Sequence, residues 1–240
     1  MAPQVRISNR SLFNNQHEAR TGAWHLYLAI QVLSFLLLWL PCLSSSSQAQ
    51  VQPPPITSSG LNTVVTTNGT VHSITGGTRP DGGPNLFHSF GDFNVPNNNL
   101  ANFLNAGSVD LAGNPLAAHL PTSNILGRVT GGNISNIFGT IQTTDFRNAN
   151  LFLMNPAGFL FGPNATVNVG GMVSFTTADY LRLGDRVRFN AVPNVAADAL
   201  LTATPVAAFG FLGSNPGAIT IQGSQFTVRS EEHTSELQSR

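Results

Sequence analysis

Seven aspartates, Asp81, Asp92, Asp110, Asp145, Asp179, Asp185 and Asp198, are the only carboxylate side chains between residues 51 and 228. Two of them flanking a bound sugar would be the chemistry of glycoside cleavage, and a cluster would hold calcium. They are scattered singly, and the stretch contains no Glu and no Lys to complete an acid–base set. His88 sits inside an apolar alternation, Leu86-Phe87-His88-Ser89-Phe90. As a base or metal ligand it lacks company, since no Cys, Glu or second His stands nearby, and it reads as a packed histidine. The expectation is a chain that is not an enzyme and carries no cofactor or metal.

Arg182, Arg186 and Arg188 are the other chemically marked group. Residues 178–190, ADYLRLGDRVRFN, read as two strands about Gly184-Asp185, with Leu181, Leu183, Val187 and Phe189 on one face and the arginines on the other. As function, this is a small basic patch for an anionic surface or a partner protein. As structure, it is the solvated face of a hairpin, its field weakened by Asp179 and Asp185 alongside. All 11 basic residues are Arg, they balance 11 acidic ones, and a nucleic-acid footprint is excluded. Charged residues are only 9% of the 240, strong helix formers are scarce, and Asn, Thr, Ser and Gly supply the polar positions, as exposed β-structure requires.

The elements that would position these groups are short strands between tight turns. Residues 151–171, LFLMNPAGFLFGPNATVNVGG, alternate apolar runs with corners at Asn155-Pro156-Ala157-Gly158 and Gly162-Pro163-Asn164. Pro at the second turn position suits a type I turn. Strands this short need stacked neighbours, which points to a coiled, repetitive architecture. Asn68-Gly69, between Val64 and Ile74, is a hairpin signal and a candidate cap for the open edge of such a stack. Gly91 reads as a bulge between the runs Leu86, His88, Phe90 and Phe93, Val95. Ser123-Asn124-Ile125-Leu126-Gly127-Arg128-Val129 recurs 12 residues on as Ser135-Asn136-Ile137-Phe138-Gly139-Thr140-Ile141, and Leu160-Phe161-Gly162 repeats the step 23 residues after Gly139. Stacked coils of that length would set Phe138 near Phe161 in an interior ladder.

The ends carry addresses. Arg6, Arg10 and Arg20 precede an apolar run, Ala23 to Leu43, and Ser47-Gln48-Ala49 supplies small residues for a cut after Ala49. Residues 1–49 read as a secretory signal peptide, with an uncleaved membrane anchor as the competing reading. Cys42 is the only cysteine, so a mature chain has no disulfide and stays threadable. Residues 50–60 read as a Pro/Ser linker, and 61–228 as the folded domain. Residues 229–240, RSEEHTSELQSR, hold three of the four glutamates and resemble a translated sequencing adapter on a truncated frame, so the natural protein is expected to continue further.

Three blocks, FHSFGDFNV (87–95), GRVTGGNISNIFGTIQ (127–142) and ANLFLMNPAGFLFGPNATVNVGG (149–171), resemble the filamentous haemagglutinin N-terminal domain, also called the haemagglutination activity or two-partner secretion domain. The resemblance implies an all-β fold, a right-handed parallel β-helix with N-terminal cap hairpins. It implies a large exoprotein exported through an outer-membrane barrel transporter with POTRA domains, after delivery by the Sec machinery, to the surface or exterior of a Gram-negative-type bacterium. The family's Asn-Pro-Asn-Gly-Ile turn is matched at Asn155, Pro156 and Gly158, with Ala157 and Phe159 in place of its second Asn and its Ile. These five residues are the candidate transporter-recognition motif. Phe87, His88, Phe90, Gly127, Arg128, Gly139, Gly162, Pro163 and Asn164 are the structural positions that the blocks share. Host-cell or surface glycans would be partners of the missing downstream region, and nucleic acid is not a partner. The alternatives are a carbohydrate-binding β-helix adhesin and a polysaccharide-active enzyme.

Overall fold

The structure is a computed structural model and describes residues 54–223 and 225–228. The signal segment 1–49, with its cut after Ala49, and the tail 229–240 lie outside the described residues. Within them the fold is all-β. The chain opens with β1 (Ile56–Gly60), β2 (Thr63–Asn68), β3 (Val71–Gly76), β4 (Asn85–Phe93) and β5 (Leu100–Phe103). Then come β6 (Asn124–Val129), β7 (Ser135–Ile137), β8 (Thr140–Gln142), β9 (Asn150–Met154), β10 (Phe159–Phe161), β11 (Thr166–Val169) and β12 (Val173–Thr176). β13 (Tyr180–Leu183), β14 (Arg188–Asn190), one short helix α1 (Val195–Asp198), β15 (Val206–Gly210), β16 (Ile219–Ile221) and β17 (Gln225–Val228) complete it.

Three sheets take strands from the chain in rotation. The first runs β1-β4-β6-β9-β12, the second β16-β10-β7, and the third β17-β11-β8-β5-β3-β2. From β4 onward every pair in the first two sheets is parallel, as is every pair of the third from β3 onward. Successive visits β6-β7-β8 and β9-β10-β11 stack in register. Ile125 pairs with Leu151, 26 residues on, and Leu151 with Val173, 22 residues on. The 12-residue repeat therefore spans two sheets of one visit, Asn124 in β6 and Asn136 in β7, and not two stacked visits. Phe161 pairs with Ile137, and Phe138 is not in the interior ladder. Adjacent strand residues point to opposite faces, so Ile137 is buried while the Phe138 ring turns out and covers Gly162.

Three inward ladders build the core: Leu86-Ile125-Leu151, Val95-Ile137-Phe161 and Ala101-Ile141-Val167, all at most 1% exposed. Each fully buried Leu, Ile, Val or Phe contributes roughly 1.5–3 kcal/mol. The first sheet is covered on its other face too. Phe87, Leu126 and Phe152 pack there in a second cluster with Leu181, Leu183 and Phe189 from a fourth, antiparallel sheet, β14-β13-β15. Burial on both faces explains the unbroken apolar runs of these strands, such as LFLM of β9.

The leading edge is closed by antiparallel strands. β2 and β3 form a hairpin whose two-residue turn is Gly69-Thr70, with φ of 58° at Gly69 and Asn68 paired to Val71. β1 lies inside the stretch that the sequence assigns to a linker, and it pairs antiparallel with β4. Its register places Ser58 opposite Phe90 and Ile56 opposite Phe93, so β4 carries an extra residue at Gly91-Asp92, the bulge read from the sequence.

Candidate functional site

Asn155 to Phe159 form the corner from β9 to β10. Asn155 is 1% exposed, and its Nδ2 donates to Asn133 O at 2.9 Å and Ser135 Oγ at 2.9 Å, tying this corner to the one stacked before it. Its Oδ1 accepts from Ala157 N at 3.0 Å, and Gly158 N donates to Asn155 O at 3.0 Å, which closes the turn. The second Asn of the family's turn has no counterpart at Ala157, and the turn closes without it, because the bonds come from Asn155 and the backbone. Gly158 holds φ of 114°, and a Cβ there would overlap the backbone of Ala218. That later segment lies directly on the corner: Gly217 N donates to Pro156 O at 3.0 Å and Phe159 N to Ala218 O at 2.9 Å. Phe159 is buried in the main core, 6.0 Å from Phe161 and 5.5 Å from Phe175 between ring centroids. Only Pro156 and Ala157 of the five reach the surface, and each is half-buried.

Seven of the nine shared structural positions fall into three groups. Phe90 lies in the main core and Phe87 in the second cluster, its ring 5.1 Å from Phe189. Gly127, Gly139 and Gly162 are places of close approach, where a Cβ would meet Leu153 and Phe90, the backbone of Pro96 and Asn99, and the Phe138 ring. Pro163 and Asn164 make an exposed corner in which Asn164 Nδ2 reaches Asn97 Oδ1 at 3.1 Å.

His88 and Arg128 are both buried and differ in how they are satisfied. His88 is fully buried against Phe90 and Phe103, with Nδ1 3.2 Å from Thr63 Oγ1 and no partner for Nε2. Burial, with a smaller push from the charge of Arg79, lowers its pKa to about 3, so it is neutral in the fold. Arg128 makes a bidentate pair with Asp198, Nη1 to Oδ1 at 2.8 Å and Nη2 to Oδ2 at 2.7 Å. Its Nε also donates to Ser89 Oγ at 2.9 Å, and its guanidinium lies 5.2 Å from the Phe189 ring centroid.

Two polar features have no local sequence signal. Arg79 is 0% exposed and donates to Ser108, Gly83, Asn105 and Thr122, all neutral oxygens; burial lowers its pKa to about 10. Asn85, Asn124 and Asn150 form an amide ladder, with Nδ2 to Oδ1 distances of 2.8 and 3.0 Å. Apart from the Arg79–Gly83 bond, both sets join residues 26 or more apart in the chain, beyond the reach of motif reading.

Four of the aspartates serve turns and loops. Asp110 caps 112–114, Asp179 accepts from Leu212 N, Asp185 from Val187 N and Thr202 Oγ1, and Asp92 from Asn133. A groove of about 800 Å³ is lined by Asn105, His119, Thr122, Asp145 and Arg147, with Asp145 its one carboxylate. Among the described residues, no group of three or more His, Cys, Asp or Glu is placed to hold a metal ion.

Comparison with known proteins gives the same assignment as the three blocks. No curated protein and no solved structure matches the chain. A scan of protein families matches residues 51–238 to the TPS secretion domain, a span that takes in every described strand. The chain belongs to the TPS secretion domain family, the N-terminal two-partner secretion domain of filamentous haemagglutinin-like proteins.

Proposed function

We propose that this domain is the secretion-targeting segment of a filamentous haemagglutinin-like exoprotein and that it nucleates a right-handed parallel β-helix outside the cell. The family assignment carries the reading, because a TPS domain is a targeting domain, implies an outer-membrane transporter as second partner, and belongs to proteins secreted across the outer membrane of Gram-negative bacteria. The three parallel ladders are the faces of the helix. Its hand follows from the right-handed crossover that joins parallel strands of one sheet.

Sec delivers the chain to the periplasm by its N-terminal segment, and the transporter's POTRA domains read it there by strand addition. Recognition of Asn155, Pro156, Ala157, Gly158 and Phe159 takes place before folding, since Asn155, Gly158 and Phe159 are buried afterwards. Outside, each coil templates the next. At about 0.05–0.15 kcal/mol per residue, a coil contributes on the order of 1–3 kcal/mol, enough to make passage one-way.

The test is export of the full chain with its cognate transporter. Gly158→Val and Asn155→Ala are expected to reduce the amount released while leaving signal-peptide removal unchanged. Normal release of both variants would reject a role for this corner in export.

A further inference from the structure

The fourth sheet stands outside the three parallel ladders, with one face packed on the first sheet and the other facing solvent. Cross-strand register puts Arg182 directly opposite Arg188 on that outer face, with Ala208 on the third strand beside them. Like charges in directly opposed positions are destabilising. Neither arginine has an ion-pair partner among the described residues; the Arg188 guanidinium instead lies 4.3 Å from the Tyr180 ring centroid. Arg186 is exposed in the β13–β14 turn, in a left-handed conformation with φ of 73°. The neighbouring carboxylates are occupied elsewhere, Asp185 by Val187 N and Thr202, and Asp179 by Leu212 N and Gly213 N.

Apolar side chains are exposed around this sheet. Val192, Val195 and Leu200 follow β14, at 78%, 88% and 66% exposure, and Phe211 and Leu212 follow β15, at 53% and 75%. Leu200 shares a groove with Arg186 and Arg188. A soluble polyanion would engage the arginines alone. Three arginines outside any ion pair, against the two carboxylates of Asp179 and Asp185, beside exposed apolar side chains complement a surface that offers phosphate groups over hydrocarbon.

We propose that the outer face of the β13–β14–β15 sheet, with Arg182, Arg186, Arg188 and its apolar flanks, docks on an anionic lipid membrane. Secretion across the outer membrane brings the folded domain beside such a surface. The inference does not depend on how the transporter reads the corner at Asn155.

The experiment is co-sedimentation of the chain without its signal segment, residues 50–240, with phosphatidylcholine vesicles and with vesicles of equal parts phosphatidylcholine and phosphatidylglycerol. Binding is expected only to the anionic vesicles, weakening with salt. Arg182→Ser with Arg188→Ser should lower partitioning by about fivefold per arginine. Phe211→Ser with Leu212→Ser should also lower it, and Arg147→Ser, an exposed arginine away from this sheet, should leave it unchanged. Circular dichroism confirms that each variant is folded. No binding, equal binding to neutral vesicles, an equal loss with Arg147→Ser, or full competition by soluble heparin with no effect of the apolar pair would each overturn the proposal.

Discussion

His88 has a folded-state pKa of about 3 against an ordinary value of 6.5, because burial disfavours the imidazolium. The unfolded chain therefore binds the proton first. Stability from this site is fully present above pH 6.5 and falls steadily as the pH drops toward 3. Between pH 7.5 and 5 the loss should be about 2 kcal/mol, measured by urea unfolding, and a His88→Gln variant should show a correspondingly flatter profile. A profile unchanged by that substitution would place the proton uptake elsewhere. Gly158 is the backbone counterpart. Gly158→Ala forces a side chain into φ of 114° and onto the Ala218 backbone, and should cost about 1–3 kcal/mol. Ala157→Asn restores the family residue at a half-buried position and should change stability by less than about 0.5 kcal/mol. Equal losses in the two variants would contradict the packing described for this corner.

Between elements, the Arg128–Asp198 pair joins β6 of the first sheet to α1 beside the fourth, across 70 residues of chain. Side-chain exposure is 2% for Arg128 and 14% for Asp198, so removal of one partner strands a charge away from water. Asp198→Ala should cost about 3–5 kcal/mol, whereas replacing the pair together, Arg128→Met with Asp198→Leu, should cost much less. A double-mutant cycle by chemical denaturation gives the coupling; additive losses would show that the pair does not act as a unit. The same pair makes β6 depend on a segment 70 residues further along the chain.

For the whole molecule, parallel stacking predicts a gradient of local stability. β6, β8 and β9 each have a neighbour on both sides, while β12, β16 and β17 are the last strands of their sheets. Amide hydrogen exchange should be slowest in β6, β8 and β9 and faster by several orders of magnitude in β12, β16 and β17. Uniform protection would mean that the coils open only together. At the other end, β1 and the β2–β3 hairpin close the stack with antiparallel strands, and they shield the first parallel edges from other chains.

Residue types and spacings alone were enough for the all-β class, the corner at 155–158, the hairpin between Val64 and Ile74, whose turn is Gly69-Thr70 and not Asn68-Gly69, the bulge at Gly91 and the two faces of residues 178–190. Each rests on contacts within a few positions or on side-chain alternation, and the three blocks carried the family. The tertiary structure decided what depends on distant partners. It showed that the 12-residue repeat crosses two sheets, that Ile137 and not Phe138 faces Phe161, and that Arg79 is buried without a carboxylate. It also showed that Arg128 belongs to Asp198 and that the corner from Asn155 to Phe159 lies mostly inside the fold. Parallel strands pair only after the chain has travelled 22 or more residues and turned through other sheets. Which side chain meets which is set by that register, and no local pattern encodes it.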